Sequence, residues 1–193
     1  MISVSGTVSE ENMGARPRGR KLELRERGGP PLVVTGAGCE PVGSRVRCAS
    51  ARIKRLRVGL GPGADFYHAT IGRLAKDIRE LVRGGAGDDS LSLRDNSPPR
   101  RMRSRGATVK GGSGNDRIRG GPGDDRLLGG VGDDYIQSAR ADELRGDDFL
   151  SGGDGDDRLI GARGDDVLRG GPGNDLCVPR GGNDRLYSCE RVR

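Results

Sequence analysis

Aspartates recur at a fixed distance behind glycines in the second half of this 193-residue chain. The segment GGSGNDRIR, which begins at Gly111, is followed without a gap by GGPGDDRLL and GGVGDDYIQ. Each nine-residue unit has glycine at positions one, two and four, aspartate at position six and a large apolar residue at position eight. Calcium takes six to eight oxygen ligands from carboxylates and backbone carbonyls, and such units supply both. The spacing therefore predicts calcium binding by the position-six carboxylates.

The same register resumes after the five-residue insertion SARAD (138–142), with units beginning at residues 143, 152, 161, 170 and 179. The last unit has lost its first two glycines and is expected to cap the array. One copy of the pattern alone would indicate only a glycine-rich turn with a solvated aspartate, so the shared register is what favours several metal sites. The predicted ligands are Asp116, Asp125, Asp134, Asp148, Asp157, Asp166, Asp175 and Asp184.

The residues around each aspartate predict how it is positioned. Arginine often precedes the apolar residue at position eight, as in Arg117-Ile118, and this alternation indicates a short strand with its apolar side chain inward. The acids at position five are expected to be solvated, because asparagine replaces them in some units. Upstream copies place Asp65 and Asp89 at position six, but degraded units follow them, so neither is included among the predicted ligands.

The pattern divides the chain into three predicted parts of an all-β protein. Residues 1–58 contain short alternating segments typical of strands and are expected to form a β-rich N-terminal cap. Residues 59–110 form a degenerate repeat region with a loop at 94–106, and residues 111–193 form the calcium-binding β-roll with its C-terminal cap. Residues 72–82 have apolar side chains at helical spacing, although coil or strand is favoured there.

Charge is unevenly distributed between these parts. Residues 1–110 carry 22 Lys/Arg and 11 Asp/Glu, a net charge of +11, whereas residues 111–193 carry 12 and 17, a net charge of −5. The acidic half suits cations. The basic half could contact an anionic cell surface or polymer, although ordinary solvated charge is favoured, and the lack of interleaved aromatic residues argues against nucleic acid.

Four cysteines form two close pairs, Cys39 with Cys48 and Cys177 with Cys189. This spacing favours two local disulfides over free thiols, and hence an oxidising compartment. The sequence has neither an apolar stretch long enough for a membrane helix nor a recognisable signal peptide, so a secreted protein would have lost its leader from this sequence.

The nonapeptide pattern resembles the repeats-in-toxin family, and the wider layout, from VSGT to the closing SCE, is similar to small secreted actinobacterial members. The resemblance implies a right-handed parallel β-roll in which each unit stacks on the unit two further along, with calcium ions between the stacked turns. The implied facing pairs are Asp116 with Asp134, Asp148 with Asp166, Asp157 with Asp175, and Asp166 with Asp184. The pairs Asp125 with Asp148 and Asp134 with Asp157 depend on whether SARAD bulges out.

We therefore expect a non-enzymatic, secreted protein whose folding is coupled to calcium binding. Two alternatives remain open at this point: a calcium-dependent module of an exported enzyme or toxin, and an adhesin-like module that binds through the basic N-terminal surface. The motifs HExxH and GxSxG are absent from the sequence, so an enzymatic role would require another chain or a longer parent protein.

Overall fold

The computed structural model describes strands and turns in ten segments of the chain. These segments are residues 2–5, 12–18, 21–27, 33–35, 39–42, 45–49, 55–70, 79–94, 106–139 and 146–193. Side chains are described within 57–67, 80–93, 106–139 and 146–193. All regular elements in these segments are strands, and no membrane-spanning helix is found among the described residues.

The N-terminal strands and the first rungs of the array come first in the chain. They are Ile2–Ser5 (β1), Asn12–Arg18 (β2), Lys21–Arg27 (β3), Val33–Thr35 (β4), Cys39–Val42 (β5), Arg45–Ala49 (β6), Arg55–Pro62 (β7), Phe66–Thr70 (β8), Arg79–Ala86 (β9) and Ser90–Arg94 (β10). The remaining strands are Ala107–Ser113 (β11), Arg117–Arg119 (β12), Arg126–Val131 (β13), Tyr135–Gln137 (β14), Phe149–Asp154 (β15), Arg158–Ile160 (β16), Val167–Arg169 (β17), Leu176–Val178 (β18), Arg185–Tyr187 (β19) and Arg191–Val192 (β20).

From β7 onward the chain alternates between two parallel sheets. Sheet 1 has the order β19-β17-β15-β13-β11-β9-β7-β1-β4, and sheet 2 has the order β20-β18-β16-β14-β12-β10-β8-β2-β3-β6-β5. Antiparallel pairs in the described strands are confined to the N-terminal part, where β1 pairs β4, β3 pairs both β2 and β6, and β5 pairs β6. The predicted all-β fold, a parallel β-roll, is confirmed.

Each rung of the roll consists of two units, because every strand pairs with the strand two further along. Arg117 lies opposite Tyr135, 18 residues later. Across SARAD, Arg126 lies opposite Phe149, 23 residues later, so this rung has five more residues than a regular one and the strand pairing continues. Ser138, the first residue of SARAD, still belongs to the ladder, because its N–H donates to the carbonyl of Ile160 at 2.9 Å. Residues 140–145 lie outside the described residues.

The rungs begin well before Gly111. Ser90 lies opposite Arg117, 27 residues later, and of the two intervening units the one at 102–110 contributes a strand, β11, to sheet 1. Strand β11 crosses the predicted division at 110/111, and β7 crosses the one at 58/59. Part of the 72–82 segment lies in β9, which is a strand as favoured. The predicted loop at 94–106 falls almost wholly outside the described residues.

The core consists mainly of two rows of position-eight side chains that meet between the sheets. Each rung contributes one apolar residue from each sheet, and those from Val58 to Cys177 are almost fully buried. They are Val58, Val82, Val109, Leu127, Leu150 and Leu168 from sheet 1, and Tyr67, Leu91, Ile118, Ile136, Leu159 and Cys177 from sheet 2. A core with one such side chain from each sheet per rung buries little apolar area for so many ordered glycines, so further stabilisation is needed.

Disulfide chemistry closes the C-terminal end. Cys177 and Cys189 form the predicted disulfide, and Cys189 packs against the core. In the N-terminal part, Cys39 and Cys48 lie directly opposite each other on β5 and β6. The bond between Cys39 and Cys48 stays a prediction, because their side chains lie outside the described ones.

Candidate calcium-binding site

The position-six carboxylates of alternate units stack into a continuous column along one edge of the roll, here named column 1. In each rung the backbone N–H of one aspartate donates to the carboxylate of the next, at 2.8 Å throughout. The members of column 1 are Asp65, Asp89, Asp116, Asp134, Asp157, Asp175 and, at the C-terminal end, Glu190.

One oxygen of each interior carboxylate in column 1 lacks a hydrogen-bond partner. These buried atoms are the Oδ2 atoms of Asp89, Asp116, Asp134, Asp157 and Asp175. A buried polar atom without a partner is destabilising by about 1 to 3 kcal/mol, and an unpaired charge by more. Five equivalent cases in one column indicate a missing ligand.

Backbone carbonyls converge on the same places. A Cβ atom on Gly111 would lie 1.9 Å from Asp116 Oδ2 and 2.9 Å from the carbonyl oxygen of Gly129. One rung later, a Cβ on Gly129 would lie 1.9 Å from Asp134 Oδ2 and 2.7 Å from the carbonyl oxygen of Gly152. Carboxylate and carbonyl oxygens therefore meet beside the bare Cα of these two position-one glycines, which is the hard oxygen set that fits calcium.

No point in the described part of the chain gathers three or more His, Cys, Asp or Glu side chains. An ion held between two stacked carboxylates would therefore take its other ligands from backbone carbonyls and water, which calcium accepts.

The opposite edge carries column 2, which consists of Asp125, Asp148, Asp166 and Asp184 beneath Ala107. The rung-to-rung hydrogen bond is the same, at 2.7 to 2.9 Å. The environment of Oδ2 differs from that in column 1. Oδ2 of Asp125 accepts the N–H of Gly121 at 2.7 Å, and Oδ2 of Asp166 accepts the N–H of Ala162 at 3.0 Å. In column 2 the main chain thus supplies a partner to these two carboxylates.

Position two of the unit accounts for this difference. In column 1 units this position is a glycine with φ between 123° and 139°, as at Gly112 and Gly130. In column 2 it is Ala162 in one unit and Gly121 without a positive φ in another, and there the N–H turns toward the aspartate. The positive φ, which glycine adopts readily, therefore directs this N–H away from Oδ2 in column 1.

Column 2 ends at its N-terminal side in a different kind of contact. Ala107 provides no carboxylate, and Glu80 lies opposite it on β9. Glu80 is buried and accepts a hydrogen bond from the hydroxyl of Tyr67. This pair satisfies a buried carboxyl group without metal, and burial raises the pKa of Glu80 to about 7.

The position-five side chains form a second, exposed ladder. The N–H of Asp133 donates to Asn115 Oδ1 at 2.8 Å, and the N–H of Asp156 donates to Asp133 Oδ1 at 2.8 Å. Asparagine and aspartate accept this bond equally, which explains their exchange at position five. The side chains face solvent, as the sequence predicts.

Burial raises the pKa of the stacked carboxyl groups. It raises the pKa of Asp116 and Asp157 to about 6 and that of Asp134 and Asp148 to about 7, and that of Asp125 reaches about 8. Neighbouring carboxylates add to the rise, while hydrogen bonds from the backbone oppose it. Near neutral pH and without calcium, the carboxyl groups of both columns are thus partly protonated and partly charged.

We expect the calcium-free protein to hold more β structure at pH 5 than at pH 8. The folded state binds more protons than the unfolded state between about pH 4, the ordinary aspartate pKa, and pH 8, so its stability falls as pH rises through this window. Circular dichroism of chelator-treated protein at both pH values measures the effect, with calcium-saturated protein as the control. Less β signal at pH 5 than at pH 8 in chelator would contradict it.

Two parallel sheets joined by glycine turns, with position-six carboxylates stacked at the edges, define a metal-binding parallel β-roll. The model of the RTX calcium-binding nonapeptide repeat matches four times, at residues 79–95, 106–136, 144–177 and 151–186. These matched segments therefore belong to the RTX nonapeptide-repeat family. No curated protein and no solved structure matches the chain.

The structure brings all eight predicted ligands into the two columns. The facing pairs expected from the resemblance are adjacent, and so are both pairs that span SARAD. Sequence reasoning left out Asp65 and Asp89, which continue column 1, and Glu190, which ends it. For Asp89 the signal was present, since GGAGDDSLS is a full copy of the pattern.

Proposed function

We propose that the protein binds several calcium ions along column 1 and that this binding drives folding of the roll. The observation that carries the proposal is the row of five buried Oδ2 atoms without a hydrogen-bond partner, four of which lie beside backbone carbonyls. Asp116, Asp134 and Asp157 lie in the middle of this row, each with a carboxylate above and below it.

Charge repulsion within the column supplies the coupling to folding. Two unit charges at about 4 Å repel by about 1 to 4 kcal/mol at effective dielectrics of 80 to 20, and the column repeats this contact at every rung. Bound calcium supplies the compensating positive charge and the ligand that each Oδ2 lacks. The glycines at positions one and two hold the carbonyls and carboxylates in place, so the free energy of binding contributes to folding.

Isothermal titration calorimetry of chelator-treated protein tests the binding, with magnesium as the control ion. Calcium should bind at several sites, whereas magnesium, which demands octahedral geometry and keeps its waters, should bind much more weakly. Silence with calcium, or equal binding of both ions, would contradict the proposal.

We propose a binding protein rather than an enzyme, in a secreted setting. The stacked carboxylates of the described array all make the same contact from one rung to the next. Such a row of like groups suits cation binding, whereas catalysis would need one carboxyl group in an environment different from the others. The Cys177–Cys189 disulfide supports an oxidising compartment, and RTX repeats are typical of secreted proteins.

A second candidate function is binding of a linear acidic polysaccharide through the outer face of sheet 1. In the sheet 1 strands from β7 to β19, the residues directly before and after each position-eight core residue point outward. Six of these outward residues are exposed cations, and none is an acid. These cations are Arg57, Arg83, Lys110, Arg126, Arg169 and Arg185. Their spacing along successive strands suits an extended anionic chain.

The aromatic rings on this face favour a polysaccharide over nucleic acid. The guanidinium of Arg126 lies 4.3 Å from the ring centre of Phe149, and that of Arg169 lies 5.9 Å from the ring centre of Tyr187. The Arg126 guanidinium covers one face of Phe149, and Tyr187 is a single exposed ring at the end of the sheet, so the two do not provide the interleaved open rings that single-strand readers require.

Neutralising Arg83, Lys110 and Arg126 together, each to glutamine, should lower the salt concentration that elutes the calcium-loaded protein from immobilised heparin, used as the probe polymer. Glutamine at Arg117, Arg158 and Arg163 removes the same charge from exposed positions elsewhere and is the matched control. Equal shifts for both triple variants would show that net charge, not the sheet 1 face, determines retention.

A further inference from the structure

Column 1 ends in a residue outside the nine-residue pattern. Glu190 Oε2 accepts the N–H of Asp175 at 2.8 Å. In all the preceding rungs of column 1 an aspartate accepts this bond, as Asp175 does from Asp157. The N–H of Arg191 donates to the carbonyl of Asp175 at 3.0 Å, as the N–H of Leu176 does to the carbonyl of Asp157. Glu190 therefore occupies the position of a position-six aspartate.

A backbone carbonyl also takes its usual place in this last rung. A Cβ on Gly170 would lie 2.0 Å from the carbonyl oxygen of Ser188 and 2.2 Å from Asp175 Oδ2. At Gly129, in the interior, the same two kinds of oxygen lie 2.7 Å and 1.9 Å away. Ser188 has a φ of 48°, the only positive φ among the described non-glycine residues. Its carbonyl thus replaces that of a position-one glycine.

Asp175 independently points to a ligand at this end. Its side chain is fully buried, and its Oδ2 has no hydrogen-bond partner. The adjacent Arg191 does not supply one, because its guanidinium donates to the carbonyl of Asn174 at 2.9 Å. The positive charge of Arg191 nevertheless opposes a cation here.

The disulfide and the length of the glutamate side chain explain how this shortened rung reaches its place. Asp175 and Glu190 are 15 residues apart, whereas Asp157 and Asp175 are 18 apart. Cys189 is bonded to the buried Cys177, which fixes the residue directly before Glu190 against the core. The extra methylene of glutamate then extends the carboxylate to the N–H that an aspartate would accept.

We propose that Asp175, the Ser188 carbonyl and Glu190 form one further calcium site at the C-terminal end of column 1, held in register by the Cys177–Cys189 disulfide. The site rests on the proposed calcium function. It is the weakest site of the column, because Arg191 lies beside it and the rung is exposed on its outer side.

Counting bound calcium in Glu190→Gln tests the site, by native mass spectrometry together with calorimetry. The variant should bind one calcium fewer than the wild-type chain, while Asp154→Asn, which neutralises an exposed carboxylate at the end of β15, should bind the wild-type number. No calcium on the wild-type chain would overturn the function itself. Calcium binding by the wild-type chain with an unchanged count and affinity in Glu190→Gln would overturn only the terminal site.

Two further variants keep the test decisive if Glu190→Gln fails to fold. Glu190→Asp retains the charge and shortens the reach, and it should weaken the last site by roughly tenfold or more. The double variant Cys177→Ala, Cys189→Ala should lose the same site while binding at the others. Wild-type binding by Glu190→Asp would overturn the role of Glu190, and wild-type binding by the double variant would overturn the role of the disulfide.

Discussion

Replacing Asp134 by asparagine is expected to weaken calcium binding by more than the roughly 10- to 100-fold typical of losing an outer-shell partner. Asp134 lies between Asp116 and Asp157, so its carboxylate borders two candidate sites. Asparagine retains the Oδ1 acceptor for the N–H of Asp116 and places an amide near the carbonyl of Gly152. The calcium-free fold should therefore change little.

The same substitution at Asp166 in column 2 is the matched control. Oδ2 of Asp166 already accepts the N–H of Ala162, and an amide nitrogen there would face that donor. Asp166→Asn should therefore lower the free energy of unfolding by about 1 to 3 kcal/mol, with a smaller effect on calcium affinity. Calorimetry and chemical denaturation separate the two effects. Equal losses of affinity in both variants would contradict the distinction between the columns.

Gly130→Ala is expected to destabilise the roll severely in the presence of calcium. Gly130 has a φ of 136°, and its added Cβ would lie 1.9 Å from the carbonyl oxygen of Gly112 in the rung below. Neither the backbone conformation nor the rung spacing accommodates the methyl group, and the displaced carbonyl belongs to the calcium-facing edge.

Gly121→Ala changes the same position of a column 2 unit and serves as the control. Its φ is not positive, and the added Cβ would make ordinary contact with Leu93 at 3.4 Å. Thermal unfolding with saturating calcium should give a near wild-type Tm for Gly121→Ala and a lower Tm, or no cooperative transition, for Gly130→Ala. Similar melting of the two variants would refute the role assigned to the position-two φ.

The repeat itself made the fold predictable. Period-two alternation after each aspartate gave inward residues such as Ile118 and Leu127, and both are fully buried. The shared register of the units gave the stacking of Asp116 on Asp134. These features follow from local geometry that every unit repeats, so they can be predicted from the amino-acid sequence alone.

Features that depend on irregular rung lengths or on backbone conformation could not be predicted from the nine-residue spacing. Asp89 stacks on Asp116 although 27 residues separate them, nine more than the 18 of a regular rung. Glu190 takes the place of an aspartate in a last rung that is three residues shorter than the one before it, directly after the disulfide-bonded Cys189. The contrast between the columns arises from the φ of position two, and Gly121 shows that the residue type alone does not determine it.

Far-ultraviolet circular dichroism during titration of calcium into chelator-treated protein at pH 8 tests most directly whether calcium drives folding of the roll. The stacked, unpartnered carboxylates predict a large gain of β signal with calcium and little with magnesium at the same concentration. A full β signal in chelator, unchanged by calcium, would show that the roll folds without its metal and would contradict the coupling.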